Sequence, residues 1–308
     1  MTVLPAVAEP FSVHETEFGY VLGQEPRLVK VADVDAHEGP VYVRGERALY
    51  FTSLPPDAQV KRLDLATGEV SVVATGVRAP NGMTLDRAGR LVICEQGSIG
   101  SPARIARHNL STGVTETVVD NFGAAALNSP NDVVVKSDGT IWFTDPSYGH
   151  LQGFRPPPEV GDFVYRYDPR SESLSVVADS FEKPNGIAFS PHEQTLYVTD
   201  SGANQEPGSF HPELPHHILA FDLRDSRHLG PRRLFAVTTP GFPDGLKVDV
   251  AGRVYASSFS GVQVFNPAGD KIGEINLPGA VNFCFGGPRR NVLYITADTA
   301  VWAAYLAD

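Results

Sequence analysis

One short unit recurs along the chain. Its fullest copy begins at Pro184-Asn185-Gly186, continues through the apolar stretch Ile187-Ala188-Phe189, turns, and closes on Leu196-Tyr197-Val198-Thr199-Asp200. In each copy a residue with a side-chain oxygen, usually followed by Gly, opens one apolar stretch, and a second stretch ends on Thr, Ser or Asp. Six copies open at Glu38-Gly39, Asn81-Gly82, Asn131-Asp132, Asn185-Gly186, Asp244-Gly245 and, more weakly, Asn282-Phe283. From the opener to the matching position of the second stretch is 11 residues for Val92, Trp142 and Tyr255, and 12 for Tyr50, Tyr197 and Tyr294. Chance does not hold six copies in one register, so the copies are structural equivalents.

The openers lie 43, 50, 54, 59 and 38 residues apart, and a period of about 40 to 50 residues holding several short strands marks the blades of a propeller. The turn Ser137-Asp138-Gly139 between apolar runs 133–136 and 141–144 reads as a hairpin, and Ala251-Gly252 repeats it between 246–249 and 254–257. A further β-prone run precedes most openers (70–74, 114–119, 174–178, 233–237, 271–275), and another fits between units (105–109, 163–168, 218–223, 262–266). The expectation is an all-β, six-bladed β-propeller with about four antiparallel strands per blade. It forms a single domain over 1–308, with residues 1–25 as a peripheral segment. The run Leu28-Val29-Lys30-Val31-Ala32-Asp33 has the character of the strand that precedes an opener, yet it comes before the first unit. Its partners are therefore expected in the last blade, so that the N-terminal strand closes the ring and removes the free edges of an open sheet.

A chain of 308 residues exceeds the usual single core, but closed all-β domains reach this size. Gly 29 and Pro 25 supply the turns. No apolar run approaches the ~18 residues of a membrane-spanning helix, and Met1 to Pro10 lacks the basic-then-apolar order of a secretory signal. Cys94 and Cys284 fall in the second and sixth units, which do not adjoin in a ring of six, so two free buried thiols and a reducing cytoplasm are expected. The net charge of -11 argues against nucleic acid or an anionic membrane as partner and suits a cation. The oligomeric state leaves no mark in the sequence.

In a blade the innermost strand lines the central channel, so Glu38, Asn81, Asn131, Asn185, Asp244 and Asn282 are expected in one ring at the axis. The second strand runs back antiparallel and brings Cys94-Glu95-Gln96, Thr144-Asp145-Pro146-Ser147-Tyr148 and Thr199-Asp200-Ser201 to the same mouth. Two carboxylates and several amide oxygens, with no Cys and no obligatory His, make a hard-oxygen site. It suits Ca²⁺, which takes about 6 to 8 oxygens, with another divalent cation as the alternative. Taken singly, Asn-Gly and Asp-Gly are turn formers. Here turn duty already falls on Asp138-Gly139 and Ala251-Gly252, and Glu38 is a poor turn residue, which favours the axial reading.

Glu38-Gly39-Pro40, Ser129-Pro130-Asn131-Asp132, Trp142-Phe143-Thr144-Asp145-Pro146, Lys183-Pro184-Asn185-Gly186 and Phe242-Pro243-Asp244-Gly245 together resemble the SMP-30/gluconolactonase family of calcium-dependent six-bladed propeller hydrolases. The resemblance spans about residues 27 to 300 and is nearest to the bacterial gluconolactonase-like branch. It implies metal ligands from a first-blade Glu, third- and fourth-blade Asn and a fifth-blade Asp, which fall on Glu38, Asn131, Asn185 and Asp244. It departs at Ser129, where the animal members carry a substrate-contacting Arg, so their substrate is not transferred.

The mechanism expected is opening of a small-molecule lactone, with the metal polarising the carbonyl and a water attacking. Asp244 is the candidate catalytic base, although a metal-bound Asp has a lowered pKa that weakens it in that role. Asn81, Asn128, Asp145, Tyr148 and Asp200 are candidate substrate-binding residues at the mouth, each equally readable as structuring a loop. So many polar groups suit a sugar lactone. Two other readings stand beside this one: a hydrolase of organophosphates or other esters on the same scaffold, and a non-catalytic propeller whose metal only ties the blades together. The Gly-x-Ser-x-Gly elbow, His-Glu-x-x-His and the phosphate and dinucleotide loops are absent. His37 reads as packed or exposed rather than catalytic.

Overall fold

Six antiparallel sheets stand around a common axis in the computed structural model, which describes residues 9–54 and 57–307. Residues 1–8, the part of the N-terminus read for a secretory signal, lie outside the described residues. The inner strands are Glu38–Val43, Pro80–Leu85, Val133–Val135, Pro184–Phe189, Leu246–Val248 and Asn282–Gly286. Each touches the next, and the sixth returns to touch the first, so the ring is closed. The second strands, among them Ala48–Thr52, Leu91–Glu95, Ile141–Asp145 and Val292–Thr296, are buried along their whole length. They read as continuous apolar runs because both of their faces pack against neighbouring blades. Among the described residues no helix is long and apolar enough to cross a membrane.

The register counted from the sequence is the register of the sheets. Tyr50, Val92, Trp142, Tyr197 and Tyr255 stand opposite the residue three past each opener: Val41, Thr84, Val134, Ala188 and Lys247. Tyr294 instead faces Cys284, two past Asn282. In the first, second and fourth blades the ladder slips by one residue at the opener's Gly, a bulge of the kind that re-aims a side chain. The sixth blade pairs Asn282 with Thr296 and runs on without a slip, which accounts for the weakness of its copy.

Trp142, Phe143 and Tyr197 each join an apolar cluster shared with an adjacent blade. Cys94 and Cys284 are free and buried. Ring closure is as expected: Arg27–Ala36 pairs antiparallel with Asp298–Tyr305 and completes the sixth blade.

The N-terminal segment is peripheral in position but carries part of the core. Phe11–Val13 adds a fifth strand to the outer edge of the fifth blade. The helix Thr16–Leu22, ended by Gly23 at φ 73, buries Phe18, Val21 and Leu22 against the fifth and sixth blades. The Phe18 ring lies on Gly273, where no Cβ fits. Phe18→Ala is therefore expected to lower unfolding free energy by about 3–5 kcal/mol in urea titration; a loss well under about 1 kcal/mol would mean that the segment is an appendage.

Candidate functional site

The backbone around each opener is fixed by three repeated contacts. First, the Gly after an opener lies against the next opener: a Cβ on Gly39 would come within 2.6 Å of Asn81 O. Gly82 stands likewise against Asn131 O, Gly186 against Asp244 O and Gly245 against Asn282. Second, the Thr that ends a unit ties its blade to the following one. Thr144 Oγ1 donates to Asn185 O at 2.8 Å, and Thr199 Oγ1 to Asp244 O at 3.1 Å. Third, the acid after that Thr accepts N–H groups from the residues leading into its own opener.

Two candidate mouth residues take part in that third contact. Asp145 accepts from Asn128 N at 2.9 Å and Ser129 N at 2.8 Å, and it is fully buried. Asp200 accepts from Glu182 N at 3.1 Å and Lys183 N at 2.9 Å, and it is 2 % exposed. Each oxygen of both carboxylates accepts a backbone N–H, so both acids hold loops. Asn128 Nδ2 donates to Asp145 O and Gly161 O, both at 3.1 Å, and its Oδ1 is buried without a hydrogen-bond partner. Asn81 Nδ2 donates to Asn131 O at 3.2 Å.

The remaining side chains converge at the axis. Asn282 Nδ2 donates to Glu38 Oε2 at 2.7 Å. Asp244 lies within hydrogen-bonding reach of both Glu38 and Asn185. The Tyr148 hydroxyl reaches Asn185 and donates to Ser201 O at 3.2 Å. Glu38, Asn131 and Asn185 are buried, whereas Asp244 is half-buried and keeps contact with solvent. Burial pushes the Glu38 carboxyl above its usual range, and the Asp244 charge pushes it further. Burial also raises Asp244, while His37 and hydrogen bonds from Glu38 and Asn185 hold it back.

A cation fits this arrangement on the chemistry of its donors. Asn131 Oδ1 is buried with no hydrogen-bond partner, the costly state for a polar atom. Two adjacent carboxylates repel each other unless neutralised. Among the described residues no three His, Cys, Asp or Glu side chains gather as a metal cluster, so any ion here depends on the amide oxygens as well. Glu38, Asn131, Asn185 and Asp244 supply that mixed hard-oxygen set.

Several channel residues were not anticipated from the sequence. His37 Nδ1 lies 2.7 Å from Asp298 Oδ1. Burial disfavours the charged ring, but Asp298, Glu38 and Asp244 outweigh it and raise its pKa. Lys247 Nζ donates to Asn282 Oδ1 at 3.2 Å and pairs with Asp132 Oδ2 at 3.7 Å. The signal was present in the repeat: Lys247 stands where the first four copies carry Val, Thr or Ala, and Asp132 where four carry Gly. Arg155, buried in the Pro-rich loop, donates to Asn128 O at 2.9 Å, Leu127 O at 3.0 Å, and Ser98 O and Ser101 O at 2.9 Å each, pinning three mouth loops together.

These features define a class, the six-bladed propeller with an oxygen-lined site at one end of its axis. Residues 36–299 match the family model described as the SMP-30/gluconolactonase/LRE-like region, and the chain belongs to that family. It is 30% identical over 292 residues to a gluconolactonase of Zymomonas mobilis, covering 89% of this chain and 79% of that protein. It is 28% identical to a lactonohydrolase of Aspergillus oryzae, covering 89% of this chain and 69% of the relative. A solved gluconolactonase from Xanthomonas campestris superposes with a TM-score of 0.83 at 35% identity, over 98% of this chain and 97% of that one.

In chelator-treated protein the raised Glu38 carboxyl makes stability pH-dependent. The folded state holds more protons than the unfolded state above the ordinary Glu value of 4.5, so stability falls as pH rises from there. Glu38→Gln is expected to remove up to about 1.4 kcal/mol per pH unit of that slope. Urea midpoints measured from pH 5 upward check it, and an unchanged slope would mean that the acids do not interact.

Proposed function

We propose that this chain is a lactone hydrolase working with a divalent cation, Ca²⁺ by ligand chemistry, held by Glu38, Asn131, Asn185 and Asp244. The observation that carries the reading is a buried carboxylate, Glu38, within reach of a second, Asp244, beside an unpartnered amide oxygen at the axis. Support comes from relatives named gluconolactonase and lactonohydrolase. A bound cation supplies Lewis acidity toward a carbonyl oxygen and offsets the charge that develops there.

The chain's own residues supply the rest. Asp244, open to solvent, accepts the proton of the water that adds to the lactone carbonyl carbon. That proton passes to the ring oxygen as the acyl C–O bond breaks, and a hydroxy acid results. Asn185, within reach of Asp244 and Tyr148, holds the carboxylate in place. Burial and the nearby charges of Asp244 and Asp200 push the Tyr148 hydroxyl well up, so it stays a donor at neutral pH.

The product acid ionises, so base uptake on adding gluconolactone, corrected for spontaneous opening, follows turnover. Activity is expected to vanish with chelator and return with Ca²⁺. Asp244→Ala is expected to stay folded and lose about 100-fold or more. If chelator lowers the melting temperature while no lactone is opened with Ca²⁺ present, the cation is structural and the proposal fails.

A further inference from the structure

The mouth carries an apolar wall on one side of the axis. Phe242 lies two residues before Asp244. Its ring centroid is 5.2 Å from that of Phe259, in the loop after the second strand of the fifth blade, and 6.4 Å from that of Phe210, in the long loop of the fourth. Phe210 and Phe259 are themselves 5.3 Å apart, and His216 edges onto Phe210 at 6.2 Å.

Phe259 is 46% and Phe210 39% exposed, the exposed phenylalanines among the described residues. Large apolar side chains left in water are informative when they cluster. These rings also stand on fixed supports. The Phe259 ring lies on Gly241, where a Cβ has no room, and Phe259 N–H donates to Pro240 O at 3.2 Å. Ser201 Oγ donates to Pro243 O, and Asp244 N–H to Ser257 Oγ at 3.0 Å, which ties the wall's backbone to the axial carboxylate.

The polar side of the mouth points the same way. A sugar-lactone preference rested on hydroxyl-binding groups, but each oxygen of Asp145 and of Asp200 already accepts a backbone N–H group, and Asn128 Nδ2 donates to Asp145 O and Gly161 O. On the Phe242 side the mouth offers an aromatic shelf.

Resting on the lactonase reading, we infer that Phe210, Phe242 and Phe259 bind an apolar ring substituent, so that alkyl- or aryl-substituted lactones are the preferred class. The reaction is unchanged: water adds to the acyl carbon, the ring C–O bond breaks, and the proton goes to the ring oxygen. Selectivity comes from the substituent's transfer out of water, about fourfold in kcat/KM per methylene within reach of the shelf.

The test compares δ-nonalactone, which carries a butyl group, with unsubstituted δ-valerolactone and with gluconolactone, using Ca²⁺-loaded full-length protein. Wild type is expected to favour δ-nonalactone over δ-valerolactone by about tenfold or more. Phe210→Ala and Phe259→Ala are each expected to cut that ratio by about threefold or more, and Phe210→Leu to keep most of it. Should Phe259→Ala not fold by circular dichroism, Phe210→Ala and Phe259→Leu carry the comparison. A wild-type ratio near one, or a ratio unmoved in Phe210→Ala, overturns the inference even if gluconolactone is opened rapidly. A ratio that changes only with protein concentration also overturns it, by marking the rings as a contact between copies. If none of the three lactones is opened, the lactonase reading itself has failed.

Discussion

Around the axis the six inner strands approach so closely that the residue after an opener has room for a hydrogen and little else. At four seams that residue is Gly39, Gly82, Gly186 or Gly245, each against the next opener. These glycines serve as clearance between strands from different blades. Because the backbones meet, the opener side chains have nowhere to go but the channel end, and the bulges in the first, second and fourth blades turn them there. The threonine hydroxyls then lock one blade to the next through the opener carbonyls.

The same closeness sets the electrostatics. Glu38 and Asp244 come from blades that are not neighbours, yet the ring brings their carboxylates within reach of each other. Two like charges held together with one of them buried oppose folding. His37 with Asp298, and Lys247 with Asp132, put positive charge around the pair without neutralising it through a direct Lys or Arg bridge. A polypeptide that only needed a stable core had apolar residues available at these positions. The pair is the physical reason to look for chemistry at the axis.

Repetition made the fold legible. Six approximate copies fixed the register, the blade count and the closing role of the strand near residue 30, because each copy corroborates the others. The ring of openers was legible for the same reason. Where the chain does not repeat itself, sequence said little. The helix Thr16–Leu22 looked like a tail because its buried apolar partners lie more than 230 residues away. Arg155 was one charge in a Pro-rich loop, and nothing local shows that its guanidinium gathers carbonyls from three segments. For Asp145 and Asp200 the sequence left two roles open: the repeat shows that an acid closes the unit, but not that backbone N–H groups leading to the opener bond to both of its oxygens. The phenylalanines came from separate loops whose meeting only the folded chain reveals.

The seam between Arg27–Ala36 and Asp298–Tyr305 has a consequence for how the molecule is made. Glu38 follows directly on the early strand, and its hydrogen-bond partner Asn282 opens the last blade. A ribosome adding about 5–20 residues per second leaves the early strand waiting while five blades are synthesised. Until the final strand emerges, the nascent chain is an open arc with two bare edges and a divided anion pair. Assembly of the axial group thus waits for the sixth blade, and a chain cut short before it carries nearly every blade and no centre.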